Sequence, residues 1–328
     1  MVIDLGTCME QPIWNDRWRL AALNREDYIY AGLTAAVVGL IFVLFHFQGN
    51  TVEVNTFGRS ALLWMINRWR DTEMGDYSHG WLIPFVSIYV IWWNRAALVA
   101  APKAVSRVGL ALVITALLFH WLGAKAQQTR FSLFALMLLL WAIPYYFYGW
   151  KVAKILAFPC GYLIFCIPLN FLDSLTFPLR IFATIMSAGL LNGLGIAAER
   201  SGSAIYSMAA GGFSFDVADP CSGIKSLLAM TALTAVYAYF TQDVWWKKWL
   251  LLFSSIPLAI VGNIARITTV AIVAEAFGEK LALGLYHDYS GYVVFSVAIG
   301  LMIALGALFK LNLTELRDRW KNSLLSPS

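Results

Sequence analysis

Residues 30–47 read YAGLTAAVVGLIFVLFHF, a stretch that contains no Asp, Glu, Lys or Arg. A helix needs roughly 17–25 predominantly apolar residues to cross the hydrocarbon core of a bilayer. This stretch meets the requirement and predicts a membrane span. Further apolar stretches follow at 79–93, 107–123, 131–150, 152–171, 222–240, 249–266 and 289–309. The prediction is an all-α polytopic transmembrane bundle of about eight spans.

The composition supports a lipid environment. Of the 328 residues, 60% are hydrophobic and 13% are charged, and the mean hydropathy is +0.67. A soluble domain is roughly half apolar and a quarter charged, so this chain carries more apolar surface than a water-soluble core can hide. The apolar runs are continuous rather than alternating, which argues against an outer-membrane barrel.

Charge and cysteine usage exclude two classes of partner. The formal net charge of +5 fits cytoplasmic loops rich in Lys and Arg, and no basic stripe with stacking aromatics indicates nucleic acid. The four cysteines and four histidines are dispersed, with no CxxC and no zinc-ligand spacing. We therefore expect no metal site and no cofactor.

The distribution of basic residues predicts the orientation. Loops that carry Lys and Arg tend to face the cytoplasm. The marks here are Arg17, Arg19, Arg25, Arg95, Lys103, Arg107, Lys151, Lys154, Lys247, Lys248, Lys310, Arg317, Arg319 and Lys321. They agree if 172–198, which is broken by proline and glycine, does not cross fully. The expected organisation is a cytoplasmic tail over 1–29, an integral membrane domain over 30–310 and a cytoplasmic tail over 311–328.

Three reactive side chains then fall at the outer ends of the last three spans. Cys221 precedes the span 222–240, Arg266 ends the span 249–266, and His287 precedes the span 289–309. The residues 267–286 between the last two are mixed in character and are expected at an interface. Because the orientation was derived without these three residues, their convergence suggests a site.

The stretch DPCSGIKS at 219–226 suits an activated thiol. A cysteine is nucleophilic as the thiolate, whose pKa falls beside a cation or at a helix N-terminus. Asp219 and Ser222 are candidate helix caps, Gly223 permits close backbone approach, and Lys225 follows Cys221 by one helical turn. The plainer alternatives are a packed cysteine, an arginine that snorkels to the interface and an ordinary loop histidine.

Other polar residues were weighed as well. His46 and His120 lie inside apolar stretches and are interpreted as packed or hydrogen-bonded; Cys160 and Cys166 are interpreted as packing residues, and Cys8 lies in the tail. The segment DYSHG at 76–80 is either a helix cap or, through Ser78 and His79, an outer part of the site.

With these motifs in order, the sequence resembles the exosortase/archaeosortase family. The resemblance rests on DPCSGIKSLLAM, GNIARITTVAIVAE and HDYSGYVVFSVA, with support from DYSHGWLIPFVSIYVIWWNR at 76–95 and IPLNFLDSLTFPLR at 167–180, and it covers about 30–310. It implies a membrane cysteine transpeptidase that cleaves a C-terminal sorting signal, formed by a short motif, a hydrophobic helix and a basic tail, on the outer face of the cell inner membrane.

The resemblance also implies residue roles. Cys221 would be the nucleophile, Arg266 the oxyanion donor and His287 the acid and base, with Ser222, Gly223, Asn263 and Lys225 around them. The family often has Arg where this chain has Lys225, so a bidentate role there is doubtful. The expected partners are membrane-anchored substrates, the lipid bilayer and an acceptor that the sequence does not name.

Two other functions stay open from the sequence. A transporter or scaffold would also carry broken helices and ionisable residues in a membrane. A membrane peptidase without acyl transfer would use the same three residues and differ only in the acceptor.

Overall fold

The fold is described from a computed structural model of the chain. The structure describes residues 25–49, 51, 53–70, 77–169, 171–209, 212–216, 224–282, 284 and 287–310. The chain divides into two compact units, one up to Pro168 and one from Leu169 onward.

The regular elements among the described residues of the first unit are all helices. Its α-helices are α1 (Arg25–Phe47), α2 (Val54–Phe57), α3 (Ala61–Arg70), α4 (Leu82–Trp93), α5 (Arg95–Ala100), α6 (Arg107–Lys125), α7 (Thr129–Tyr148) and α8 (Trp150–Tyr162). Short 3-10 turns over Ser78–Trp81 and Leu163–Cys166 precede α4 and follow α8.

The antiparallel pair α6 and α7 is packed with little space between the two backbones. A Cβ atom at Gly109 would lie 2.4 Å from the backbone nitrogen of Tyr146, so glycine is required at this crossing. Helix α7 ends where Gly149 adopts a φ of 80°. A side chain at Gly149 would be strained by that φ and would approach the carbonyl oxygen of Ala104 to 2.6 Å. These two glycines let α6, α7 and the start of α8 pack closely.

The second unit combines helices with a small sheet. Its elements are α9 (Phe171–Gly193), β1 (Ala198–Ser201), β2 (Ala204–Ser207), β3 (Ser214–Asp216), α10 (Ile224–Thr241), α11 (Trp245–Phe277), α12 (Glu279–Leu281) and α13 (His287–Lys310). The all-α bundle is confirmed for the membrane helices, and the sheet is an addition that the sequence did not predict.

The sheet is antiparallel with strand order β1-β2-β3. Ser201 pairs with Ala204, so the first hairpin turns over two residues, and Gly202 supplies the positive φ of 62° that such turns favour. The Tyr206 hydroxyl donates to Glu199 across the strands at 2.8 Å. This hydrogen bond to a carboxylate raises the pKa of Tyr206. The three strands are short and lie between polar turns, so the sequence shows no alternating apolar pattern that would predict them.

Helix α9 corrects the expectation of a broken segment over 172–198. Pro178 lies inside one continuous helix, and the chain leaves the helix only after Gly193, with Gly195 at a φ of 87°. Asn192 then joins the helix to β1, because its side chain both donates to the carbonyl of Ala198, at 2.9 Å, and accepts from that residue's N–H, at 3.0 Å.

Helix α11 includes the expected span over 249–266 and is longer than predicted. It runs for 33 residues, about 50 Å at 1.5 Å per residue, and continues past Arg266 to Phe277. Beyond Arg266, the residues Ile267, Val270, Ala271 and Ala274 form one buried face. That face packs in a core with α9 and the sheet through Ala183, Leu191, Ala198, Ile205 and Phe213. The apolar face, covered by these neighbours, explains why the helix continues where an interface was predicted.

Among the described residues, five helices are long and apolar enough to span a membrane: Tyr28–Phe47, Arg107–Lys125, Thr129–Tyr148, Trp245–Phe277 and Tyr289–Lys310. They correspond to five of the predicted stretches. The remaining three, 79–93, 152–171 and 222–240, form helices of 12, 13 and 18 residues. The count of eight spans, the orientation and the tails over 1–29 and 311–328 stay predictions.

Candidate active site

Arg266 lies in the second unit against helix α13. A Cβ atom at Gly291 would be 3.6 Å from the Arg266 Cζ, so the guanidinium lies directly over this glycine. One turn earlier on α11, a Cβ atom at Gly262 would be 3.2 Å from Val294. The two glycines let α11 and α13 approach, and they make room for a bulky cation between the helices.

A cavity of about 40 Å³ opens beside this arginine. Helix α11 contributes Gly262, Asn263 and Arg266, helix α13 contributes Gly291 and Val294, and α10 contributes Met230. A cavity needs roughly 10–15 Å³ to hold one water molecule. The cavity therefore fits a small polar group such as a carbonyl, while a whole substrate would have to enter from outside.

The polar groups of the cavity are partly withdrawn from solvent. Asn263 is 8% exposed, and the Nε atom of Arg266 is buried. In a low-dielectric setting an oriented guanidinium stabilises a developing negative charge more strongly than it would in water. The arrangement is suited to binding a carboxylate or an oxyanion.

The register between α10 and α11 places the start of α10 near the level of the cavity along the helix axes. Thr231 Oγ1 and Ser255 Oγ lie 3.1 Å apart and align α10 with the antiparallel α11. Ile224, seven residues before Thr231, therefore lies near the level of Gly262, seven residues after Ser255. On the third helix, His287 is the first residue of α13, one turn before Gly291. The starts of α10 and α13 thus lie close to the level of Arg266.

Several predicted site residues cannot be placed in this geometry. Asp219, Cys221, Ser222 and Gly223 lie outside the described residues. For Lys225 and His287 the structure describes the helical backbone alone. Of the predicted site residues, the structure brings Arg266 and Asn263 together, and the roles assigned to the others stay predictions.

Ser78 and His79 belong to the first unit. His79 Nε2 lies 3.2 Å from the carbonyl oxygen of Phe165, which gives this histidine a local partner. The interpretation of DYSHG as a cap finds no support in the described part of the segment, because the N-cap Tyr77 forms no capping hydrogen bond through its side chain. Asp76 lies outside the described residues.

The other histidines and cysteines in the described segments are structural, as predicted. His46 Nδ1 lies 3.1 Å from Ser60 Oγ, and the His120 ring lies 4.5 Å from that of Phe45. Cys160 and Cys166 are buried and free. No group of three or more His, Cys, Asp or Glu able to hold a metal ion occurs among the described residues.

Sequence reasoning missed the contributions of Gly262, Gly291 and Met230 to the cavity. All three lie inside the motifs GNIAR, HDYSGY and DPCSGIKSLLAM, so the motifs themselves carried the signal. Glycines on membrane helices are readable as positions where two helices pack closely. Which side chain they face depends on the pairing of the helices.

A family model described as transmembrane exosortase (Exosortase_EpsH) matches residues 69–304, which include all three motifs. No curated protein and no solved structure matches the chain.

Proposed function

The chain belongs to the transmembrane exosortase family, and on that premise we propose that it is a membrane-embedded cysteine transpeptidase. Its substrates would be secreted proteins that end in a short motif, a hydrophobic helix and a basic tail. Cleavage would occur on the outer face of the cell inner membrane, with Cys221, Arg266 and His287 as the catalytic residues.

One observation carries the proposal: the Arg266 guanidinium lies at a cavity of about 40 Å³ between α11 and α13. Ile224, the first described residue of α10, lies near the level of this cavity, and Cys221 precedes it by three residues. Three residues span at most about 10 Å, a separation that is compatible with the proposed attack of Cys221 on a carbonyl group bound at the cavity.

In the first half of the reaction, the Cys221 thiolate attacks the scissile carbonyl carbon. The new C–S bond forms as the carbonyl π electrons move to oxygen, and Arg266 donates hydrogen bonds to that oxyanion. Collapse of the intermediate breaks the C–N bond, and the His287 imidazolium protonates the departing amine. The products are a thioester on Cys221 and a released C-terminal fragment.

In the second half, a nucleophile attacks the thioester. His287, now neutral, takes a proton from the incoming amine or water, the C–S bond breaks, and the thiolate is restored. An amine acceptor gives transpeptidation, and water gives hydrolysis. Both outcomes use the same residues, so the acceptor must be identified from the product.

Processing of a secreted protein from the same genome that carries such a C-terminal signal tests the proposal. Co-expression with the wild-type chain should shorten this substrate by its C-terminal fragment, and mass spectrometry of the new C-terminus identifies either a free carboxylate or an attached acceptor. Cys221→Ala should abolish shortening, while Cys160→Ala, a matched change at a buried cysteine, should leave it intact. Full processing by the Cys221→Ala variant would overturn the proposal.

A further inference from the structure

The first unit contains a second, larger cavity of about 270 Å³. Helix α1 contributes Val38 and Phe42 to its wall, α3 contributes Met65, and α7 contributes Leu133, Leu136 and Leu140. These side chains are all hydrophobic, so water is a poor occupant. In a protein that spans a membrane, the surrounding lipids are the most abundant apolar molecules.

The cavity follows α7 from its first turn into the apolar helix. Arg130 lies in the first turn of α7. At 1.5 Å per residue, Leu133 and Leu140 lie about 4.5 Å and 15 Å further along the axis. Because α7 is a candidate span, its first turn lies at a membrane surface and the cavity extends from there toward the bilayer interior.

A cationic cluster lies beside the cavity, near Arg130, which precedes the cavity-lining Leu133 by about one helical turn. The Arg68 and Arg130 guanidinium groups lie 5.5 Å and 5.6 Å from the centre of the same Trp64 ring. Glu53 forms an ion pair with Arg68 at 2.9 Å. Arg130 instead donates to the carbonyl oxygen of Pro168 at 2.8 Å, and in the described segments no carboxylate pairs with it. The cluster Arg68, Arg130 and Glu53 thus carries a net charge of +1.

We infer that this cavity is a binding site for an anionic phospholipid. The Arg130 guanidinium, assisted by Arg68, binds the phosphate oxygens of the headgroup, and one acyl chain occupies the apolar cavity along α7. A guanidinium matches the geometry of a phosphate and can donate two parallel hydrogen bonds to it. The charge lies at the membrane-surface end and the hydrophobic wall lies below it. An anionic phospholipid has the same order, with a charged headgroup above its acyl chains.

The shape of the cavity suits a linear acyl chain, because its wall follows α7 from Leu133 to Leu140.

Lipid retention tests the inference. The full chain would be reconstituted in an equimolar mixture of phosphatidylcholine and phosphatidylglycerol, extracted into a neutral detergent and washed, and the lipid retained per protein would be measured by mass spectrometry. The wild type should retain phosphatidylglycerol severalfold over phosphatidylcholine. Leu136→Trp, which fills the cavity, should reduce retention of both lipids.

The charge is tested by variants of Arg130. Arg130→Gln should remove the preference for phosphatidylglycerol, while Arg130→Lys, which keeps the charge, should retain most of it. Arg95→Gln is the matched control, because Arg95 lies 4.3 Å from the Trp92 ring and donates to a carbonyl, yet belongs to α5, which contributes no residue to this cavity. Val38→Phe fills the cavity from the wall that α1 contributes, and it replaces Leu136→Trp in the test if that variant fails to fold.

Equal retention of the two lipids by the wild type would overturn the inference. So would equal losses in Arg95→Gln and Arg130→Gln, or unchanged retention in both cavity-filling variants. In the separate co-expression assay, loss of substrate processing by cavity-filling variants that keep their lipid would also overturn the inference, because it would assign the cavity to the substrate. The lipid-retention measurement contains no substrate, so its failure leaves the proposed transpeptidase activity untouched.

Discussion

Gly291 lies beneath the guanidinium of Arg266, with the position of its missing Cβ only 3.6 Å from the arginine Cζ. That distance is ordinary van der Waals contact, so one methyl group fits and a larger side chain does not. The contact gives the arginine of α11 a defined position against α13, next to the cavity that is proposed to hold the scissile carbonyl.

Substitutions at Gly291 test whether a side chain larger than a methyl group displaces the Arg266 guanidinium. Gly291→Ala should keep processing within a fewfold of wild type, because its Cβ meets the arginine at contact distance. Gly291→Leu should displace the guanidinium and lower the rate by about 10²–10³, the usual cost of losing an oxyanion donor. The rate of substrate shortening in reconstituted vesicles measures the effect. Gly300→Leu, on the same helix with open space around its Cβ position, is the control and should leave the rate unchanged.

Substituting Arg266 itself should lower the rate of thioester formation. Arg266→Gln removes the charge, and we expect a loss of about 10²–10³. Arg266→Lys keeps the charge but lacks the planar fork, so an intermediate loss is expected. Single-turnover trapping of the thioester on Cys221 measures this step. Arg200→Gln, in β1, is the control, since Arg200 is exposed and donates to the carbonyl of Gly202. A wild-type rate in Arg266→Gln would exclude an oxyanion role.

The pH dependence of Cys221 alkylation should report an activated thiolate. An unperturbed thiol titrates near about 8.5. A nearby cation favours the charged thiolate and lowers its pKa, so labelling by a membrane-impermeant reagent should begin below that pH. In His287→Ala and Arg266→Gln the midpoint should move upward toward the unperturbed value. A midpoint that neither substitution changes would mean that the two cations do not act on this cysteine.

The hydrogen bond between Thr231 and Ser255 should contribute to the pairing of α10 with α11. Double-mutant cycles of such bonds between membrane helices average about 0.6 kcal/mol. A cycle of Thr231→Val and Ser255→Ala, followed by unfolding in mixed micelles, should give a coupling energy of this size. Thr115→Val in α6, whose hydroxyl donates only within its own helix, should show no coupling to Ser255→Ala. Additive effects in the first pair would contradict the register.

The crossing of α6 and α7 should not tolerate a side chain at Gly109. The added Cβ would lie 2.4 Å from the backbone of Tyr146, so the helices must separate. Overpacking of this kind costs about 1–3 kcal/mol, and Gly109→Ala should lower the thermal unfolding midpoint. Gly39→Ala in α1 meets nothing within 4 Å and should be neutral or stabilising. An equal change of the unfolding midpoint in the two variants would show that close packing at Gly109 does not determine stability at this crossing.

Some features were predictable because they depend on local composition. Five apolar stretches correspond to helices long enough to span a membrane, since hydrophobicity over about one bilayer width is a property of the sequence alone. The motifs around Arg266 and the start of α13 were recognised in the same way. The packing roles of Cys160 and Cys166 also followed from their apolar neighbours.

Other features depended on contacts between distant segments. The continuation of α11 past Arg266 was readable in part, because Ile267, Val270, Ala271 and Ala274 share one helix face. Its covering by α9 and the sheet was not, since the strands are short and lack an alternating pattern. Pro178 was expected to break a helix, yet the surrounding chain keeps α9 continuous.

By itself, the sequence determined that this chain is a helical membrane protein of the exosortase type, because hydropathy and short motifs are written along one segment at a time. Only the tertiary structure decided that Arg266 lies over Gly291 beside a small cavity, and that Arg130 lies one helical turn before the first α7 residue of a larger apolar one. Both relationships depend on the register between helices, which is determined by the close fit of side chains that are far apart in the chain.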